Sequence, residues 1–403
     1  MSKDQNLESA YLDNNATTPV ALAVLDAMLP WFRMEPGNPS SLHGPGERAL
    51  AAISTARRQV ANLIGATSPR EVHFTSGGTE SINSALFSAL AESRSSGRHL
   101  VITSTVEHPA TVEFLAACAR RDEALDVVAI EVDKEGNLEI ETLLALLDER
   151  GDECALVSLL LVNNETGHIL RSDHLRAIGE AAHSCGALFH LDAVQAAGKL
   201  PLSLGNLPVD MASISGHKFH GPKGVGALFV RRGVPFESLL AGGPQENTRR
   251  AGTENVPGIV GLGAAAVLAK NYVDSLANRE VICARRDRLE HAILQAIPEA
   301  RVASAGAARV ETASCIEFPG IDGEAALLML AHLGVAVSTG SACGSSHHAP
   351  SHVLLAMGRT DAEAASSLRF SLSRETGDAE IEMAASIVPT VISALQSLAP
   401  DPH

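Results

Sequence analysis

Ser215-Gly216-His217-Lys218-Phe219-His220-Gly221-Pro222-Lys223-Gly224 lies between the apolar run Asp210-Met211-Ala212-Ser213-Ile214 and the run Val225-Gly226-Ala227-Leu228-Phe229-Val230. Both runs have the length and composition of buried strands. Lys218 therefore falls at the mouth of a buried sheet. Burial disfavours an ammonium and favours the neutral, nucleophilic amine, the form that makes a Schiff base. The competing reading is a solvated lysine in a Gly/Pro loop, and the surrounding sequence has to decide between the two.

Upstream, the pattern alternates strand and helix. A helical stretch over 47–63 is followed by the short strand Glu71-Val72-His73-Phe74-Thr75, and Ser76-Gly77-Gly78-Thr79-Glu80 opens another helix. Apolar strands are expected at 100–103, 127–132, 155–162 and 187–191, with amphipathic stretches at 140–147 and 175–183 between them. Such alternation implies a mostly parallel sheet buried on both faces. Ligands in such sheets bind outside the carboxyl ends of the strands. Downstream, 241–258 reads as a long functional loop and 259–297 as one or two long helices stopped by Pro298. These helices lead into a second, smaller unit with strands near 313–318, 335–338 and 367–372.

The 403 residues are 45% hydrophobic and 19% charged, with a net charge of -16. That balance argues against nucleic acid or an anionic membrane as the main partner. The N-terminal residues carry no apolar signal segment, and no apolar run is expected to approach a membrane span. The six cysteines (118, 154, 185, 283, 315 and 343) include no CxxC pair. Neither a metal site nor a disulfide framework is expected, and a cytoplasmic setting follows. Five of them sit in Ala/Leu/Val-rich surroundings and read as inert core residues. Cys343 lies instead in the small, polar stretch Ser338-Thr339-Gly340-Ser341-Ala342-Cys343-Gly344-Ser345-Ser346-His347-His348-Ala349-Pro350, where exposure favours reactivity. His347 and His348 either lower its pKa or are ordinary loop residues, and their spacing does not suit zinc.

Other polar groups sit at the expected strand ends. Gly78 and Thr79 open a helix whose N-terminus suits a phosphate, or they merely turn the chain. Asp192 is placed either to face a pyridinium or to cap the next helix. His108 can stack on a ring and relay protons, or can be a turn histidine. Asn163-Asn164 ends the strongest strand and can bind a ring oxygen or a carboxylate, or form a turn. Arg249-Arg250-Ala251-Gly252-Thr253 offers cations and a hydroxyl, and Arg369 can clamp a carboxylate. An amine, a carboxylate and phosphate donors are together what a pyridoxal phosphate (PLP) enzyme requires.

In register, these pieces resemble the NifS-like cysteine desulfurases of the class V aminotransferase branch of fold-type I PLP enzymes. The resemblance runs from Tyr11-Leu12-Asp13-Asn14-Asn15-Ala16-Thr17-Thr18-Pro19, through Gly37-Asn38-Pro39-Ser40-Ser41-Leu42-His43, to Arg369-Phe370-Ser371-Leu372-Ser373-Arg374. It implies an α/β fold of the aspartate aminotransferase type, with a seven-stranded, mostly parallel sheet in a large domain (16–258). Residues 1–15 and 259–403 would form a smaller α+β domain carrying the cysteine loop, about 338–350.

It further implies that Lys218 is the Schiff-base lysine, that His108 stacks on the ring, that Asp192 pairs with the ring nitrogen and that Gln195 contacts the phenolic oxygen. Gly78, Thr79, Ser215 and His217 would hold the phosphate, joined by Thr253 of a second subunit in a homodimer. Asn164 and Arg369, helped by Asn14, would bind the substrate carboxylate. Cys343 would accept sulfur from L-cysteine as a persulfide, leaving L-alanine. The acceptor beyond it would be a NifU/IscU-type iron–sulfur scaffold or another protein, with nitrogenase maturation one destination. A selenocysteine lyase, another class V enzyme and an idle PLP-fold assembly platform are the alternative readings. Two segments depart from the family wording: Gly242-Gly243-Pro244-Gln245-Glu246-Asn247-Thr248, where relatives end in Glu-Arg-Gly, and Gly344-Ser345-Ser346-His347-His348-Ala349.

Overall fold

A computed structural model describes residues 9–93, 96–339 and 350–398. Its strands are β1 (Ala10–Tyr11), β2 (Val72–Thr75), β3 (Leu100–Ser104), β4 (Asp126–Ile130), β5 (Cys154–Leu160), β6 (Leu188–Asp192), β7 (Met211–Ser215), β8 (Gly226–Val230), β9 (Arg301–Val302), β10 (Ala313–Glu317), β11 (Val335–Ala336), β12 (Ser338–Thr339) and β13 (Ser367–Ser371). Its helices are α1 (Leu22–Arg33), α2 (Gly44–Ile64), α3 (Gly78–Ser93), α4 (Pro109–Ala119), α5 (Ile140–Arg150), α6 (Ser172–Cys185), α7 (Val256–Val273), α8 (Leu276–Ala296), α9 (Gly323–His332), α10 (His352–Ala356), α11 (Asp361–Ala365) and α12 (Asp378–Leu398).

Seven strands form one sheet in the order β2-β8-β7-β6-β5-β3-β4, in which only β8 runs against its neighbours. Alternate residues face opposite layers. Leu100 and Ile102, Ala212 and Ile214, and Ala227 and Phe229 join the main core, whereas Val101, Met211, Leu228 and Val230 join a second cluster with Ile82, Leu86 and Leu115 of α3 and α4. Both faces are thus covered, which is why the strands read as continuous apolar runs. A second sheet, β12-β13-β10-β9, is antiparallel. The amino-terminal segment joins this side of the molecule: β1 pairs with β11, and Asp13 bridges to Ser371.

Local signals set the helix ends. The α2 N-terminus is capped by His43, whose Nδ1 accepts from Gly46 N–H, with Pro45 in the first turn. It stops at Gly65, whose φ of 62° is the left-handed conformation glycine adopts freely.

Three expectations need correction. The strand expected at 335–338 is split into β11 and β12, which belong to different sheets. Two helices, α7 and α12, are long and apolar enough by length and composition to cross a membrane, each with a mean hydropathy of 1.4. Glycine and alanine in α7, and alanine, serine and threonine in α12, disguised this. Most of α7 is buried within the fold, where it packs on α1 and α2, and α12 turns Ile381, Ala384, Val388, Val391 and Ile392 inward. Of the five cysteines read as core, only Cys154 and Cys315 are buried; Cys118, Cys185 and Cys283 are half-exposed. Among the described residues there is no cluster of side chains suited to a metal ion.

Candidate active site

The carboxyl ends of β3, β5, β6 and β7 converge with the N-terminus of α3 on a cavity of about 350 Å³. Its walls include Lys218, His108, Asp192, Gln195, Asn164, Arg369, Gly78, Thr79, Ser215 and His217. These ten sequence candidates are therefore brought together. Asn14 is not among them: its side-chain Nδ2 donates to the Tyr11 and Ser371 carbonyls, and its neighbour Asn15 lines the cavity instead. Thr253 lies in a separate cavity with Glu246, Arg250 and Glu254. Cys343, His347 and His348 lie outside the described residues.

Lys218 reaches this place because β7 ends at Ser215 and one tight turn, Gly216–Lys218, carries the chain over the strand ends. Its Nζ donates to the Asn15 carbonyl at 2.6 Å and the Ala16 carbonyl at 2.9 Å. Asp192, the last residue of β6, is fully enclosed; its Oδ1 accepts from Val194 N–H at 2.9 Å. Burial pushes its carboxyl up to about 6, against the lowering effects of that hydrogen bond and of Lys218.

His108 is both a pocket wall and the N-cap of α4. Its Nδ1 accepts from Ala110 N–H at 3.0 Å, so the neutral ring carries its proton on Nε2. Burial, together with Lys218 and His352, lowers its pKa to about 4. The ring is thus neutral at physiological pH. Arg369 donates through Nη1 to the Asn164 carbonyl at 3.1 Å and through Nη2 to Asp13 Oδ1 at 2.9 Å. Its buried Nε has no hydrogen-bond partner among the described residues.

The turn after β5 separates two roles that the sequence left open. Asn163 Oδ1 accepts from the N–H groups of Glu165 and Thr166 and shapes the turn, whereas Asn164 lines the cavity.

Four further groups went unassigned from sequence. Asn15 was hidden by the identical residue before it. Lys199 stands four residues after Gln195 and binds both Gln195 and Asn15. Glu107 accepts from Ser104 Oγ at 2.6 Å and Leu160 N–H at 3.0 Å. Burial raises it to about 8, lowered in part by those two bonds and raised further by Asp192. Glu165 accepts a short hydrogen bond from Ser351 Oγ, and burial raises it to about 7, against the lowering effects of Ser351 and Arg369.

The pocket suits PLP on its own chemistry. At the phosphate end, the buried Ser215 Oγ has no hydrogen-bond partner among the described residues. A Cβ on Gly78 would come within 2.9 Å of Val194 Cγ2 and 3.5 Å of Ser215 Cβ, so glycine keeps the helix N-terminus open there. At the other end, a buried carboxyl with one hydrogen bond suits a protonated ring nitrogen. Between them stand an amine and an imidazole.

A half-buried lysine at the strand ends of a mostly parallel sheet, with a phosphate cradle and an enclosed carboxylate, defines a PLP-dependent enzyme of the aminotransferase type. Residues 10–383 match the family described as Aminotransferase class-V. The chain is 47% identical over 396 residues to a cysteine desulfurase of Cereibacter sphaeroides, covering 98% of each chain. It is 46% identical to a cysteine desulfurase of Gluconacetobacter diazotrophicus, covering 98% of this chain and 96% of that one. A solved NifS-like protein superposes with a TM-score of 0.87 at 35% identity, over 96% of this chain and 100% of the other. The chain belongs to the NifS-like cysteine desulfurases of the class-V aminotransferase family, whose members depend on PLP.

Proposed function

We propose that this protein is a cysteine desulfurase that converts L-cysteine to L-alanine and passes the sulfur on through Cys343. The observation that carries the reading is one cavity shared by Lys218, Asp192, His108 and Arg369 in a chain 44–47% identical to relatives named cysteine desulfurase. PLP, when bound, supplies an electron sink for the pair left at the substrate Cα. Gly78, Thr79, Ser215 and His217 hold its phosphate at the α3 N-terminus. Asp192 keeps a proton on the ring nitrogen by charge, Gln195 donates to the phenolic oxygen, and His108 stacks on the ring.

Arg369 and Asn164 take the substrate carboxylate, which would compete with Asp13 for the guanidinium. Lys218 Nζ removes the Cα proton and holds it close to the reacting carbons. The Cys343 thiolate attacks the substrate sulfur. A sulfur–sulfur bond forms as the Cβ–S bond breaks, the bonding pair stays on carbon, and a proton delivered there completes alanine. The two cavities and the intact set of cofactor partners favour an active enzyme over an idle assembly platform.

A homodimer is part of this reading. The outer face of α1 exposes Leu22, Leu25, Leu29 and Phe32 at helical spacing, an apolar stripe suited to a second copy. Thr253, outside the Lys218 cavity of its own chain, would serve the neighbour's phosphate. The two-unit organisation belongs to the reading as well. Packing of α7 on α1 and α2 supports a junction after Val273 rather than before Ile259. Iron–sulfur scaffolds are the proposed acceptors, nitrogenase maturation among their uses.

The test is mass spectrometry of the yellow protein after brief exposure to L-cysteine, with alanine assayed in parallel. A 32-Da adduct (one sulfur, roughly) on Cys343 with matching alanine is expected, and Cys343→Ala should keep the yellow colour while losing the adduct. Bound PLP with neither adduct nor alanine from the parent protein would refute the assignment.

A further inference from the structure

Lys199 is only 5% exposed, yet none of the described residues gives it a carboxylate partner. Its Nζ donates to Gln195 Oε1 at 2.5 Å and to Asn15 Oδ1 at 2.6 Å. On its far side lies a small chamber bordered by Thr18, His220, Tyr272 and Arg374. The nearby charges that act on it, Lys218 and Arg369, are of its own sign. Burying an amine in such a place is unfavourable, and an apolar side chain of similar volume would fill the space at less cost. What the amine provides is its donors.

Those donors decide the orientation of two amides. An ammonium can only donate, so the group of Gln195 that faces it is the oxygen; a neutral amine could also accept, and the orientation then rests on the other end of the amide. On the other side, Gln195 Nε2 meets the Asn15 carbonyl at 2.9 Å, which can only accept. The amide is therefore fixed from both ends without appeal to the assignment of its atoms. Its oxygen is engaged, and the second N–H on Nε2 is what remains for the cavity. Asn15 is held in the same way: Oδ1 accepts from Lys199, Nδ2 donates to the Asn164 carbonyl at 3.1 Å, and its own carbonyl accepts from Lys218.

We propose that Lys199 is a positioning residue for the cofactor: by holding Gln195 Oε1 and Asn15 Oδ1, it makes Gln195 present a donor to an anionic oxygen in the cavity. This rests on the PLP reading above, in which that oxygen is the phenolic one. Burial and the two cations depress the Lys199 pKa well below 10.5. The arrangement tolerates this, since a neutral amine retains two N–H groups, one for each amide oxygen.

The test is a double-mutant cycle of Lys199→Met and Gln195→Ala in the full-length holoenzyme. Two quantities are read: the absorption band of bound PLP, and the dissociation constant of PLP titrated back into stripped protein. Lys199→Met should displace the band and weaken PLP about ten- to a hundredfold, the range for loss of a charge-assisted hydrogen bond. In the Gln195→Ala background it should add little to either effect, which a merely structural lysine would not produce. If Lys199→Met does not fold, Lys199→Leu, which also removes the donors, carries the same cycle. A parental band and an affinity within about twofold, or effects that add fully, would overturn the proposal. If the parent chain binds no PLP at all, the cofactor reading falls instead, so the two failures are distinguishable.

Discussion

Replacing Asp192 by Asn should move two properties in opposite directions. In the cofactor-free protein the carboxyl is enclosed at the end of β6 with one hydrogen bond, from Val194 N–H, and with Lys218 nearby. Burial outweighs both and raises its pKa from an ordinary 3.8 to about 6. Below the ordinary pKa the group is neutral whether folded or unfolded and contributes nothing. As pH rises through the interval the unfolded chain ionises first, so the folded state is progressively disfavoured; above about 6 the cost is constant, about 3 kcal/mol. Asparagine removes that cost, keeps the shape and still accepts from Val194.

The stripped variant should therefore be about 1–3 kcal/mol more stable than the parent at neutral pH, an advantage shrinking to about 1 kcal/mol or less near pH 4.5. Holo-protein should show the reverse. Losing the charge proposed to face the ring nitrogen should weaken PLP about ten- to a hundredfold and slow turnover at least as much. Urea unfolding of stripped protein at the two pH values, with PLP titration by absorbance, measures both. A variant less stable than the parent at neutral pH, or one that binds PLP equally well, would refute the reasoning.

Two further outcomes follow from local geometry. Glu246, Asn247 and Thr248 run consecutively at φ of 47°, 56° and 67°, and the family resemblance puts glycine at the last of them. Thr248→Gly should relieve about 1–2 kcal/mol of left-handed strain, offset by about 0.5–1 kcal/mol of added chain entropy. A small rise in melting temperature is expected, and a fall would argue against strain there. At His108, ring and cap can be separated: His108→Asn keeps an acceptor for Ala110 N–H, whereas His108→Ala does not. Both should lose turnover alike, with His108→Ala less stable by about 1 kcal/mol in denaturant unfolding. Parental turnover in His108→Asn would remove the imidazole from the chemistry.

The sheet was legible because strands buried on both faces, such as Cys154–Leu160 and Gly226–Val230, read as short, nearly continuous apolar runs. Short elements were not. Ala10–Tyr11 is two residues long and exists only because Val335 and Ala336 lie beside it. Among site residues, those at strand ends declared themselves: Asp192, His108 and Lys218 each follow an apolar run. Lys199 gave no such sign, because what matters is its distance from Asn15, 184 residues away in sequence. Asn14 and Asn15 show the limit from the other side. They are the central residues of a turn closed by the Ala16 N–H on the Asp13 carbonyl, and the bridge of Asp13 to Ser371 sets how that turn sits over the cavity.

The turns proposed to hold the substrate also hold the flank of the segment bearing Cys343. Ser351, the N-cap of α10, donates to Glu165, the residue after Asn164, and His352 Nε2 donates to the Glu107 carbonyl at 2.9 Å, the residue before His108. Glu165 in turn feels Arg369, which binds the Asn164 carbonyl. A carboxylate that arrives at Arg369 competes with Asp13 and changes the charge beside Glu165, a group raised to about 7 and so poised to exchange its proton near neutrality. Proton and substrate are thereby linked at the anchor on which that flank sits: an added negative charge at Arg369 favours protonated Glu165, and protonation there weakens the hold on Ser351 Oγ from a charge-assisted bond to a neutral one. The same burial that makes these acids unfavourable to keep ionised is what lets the site register an arriving carboxylate.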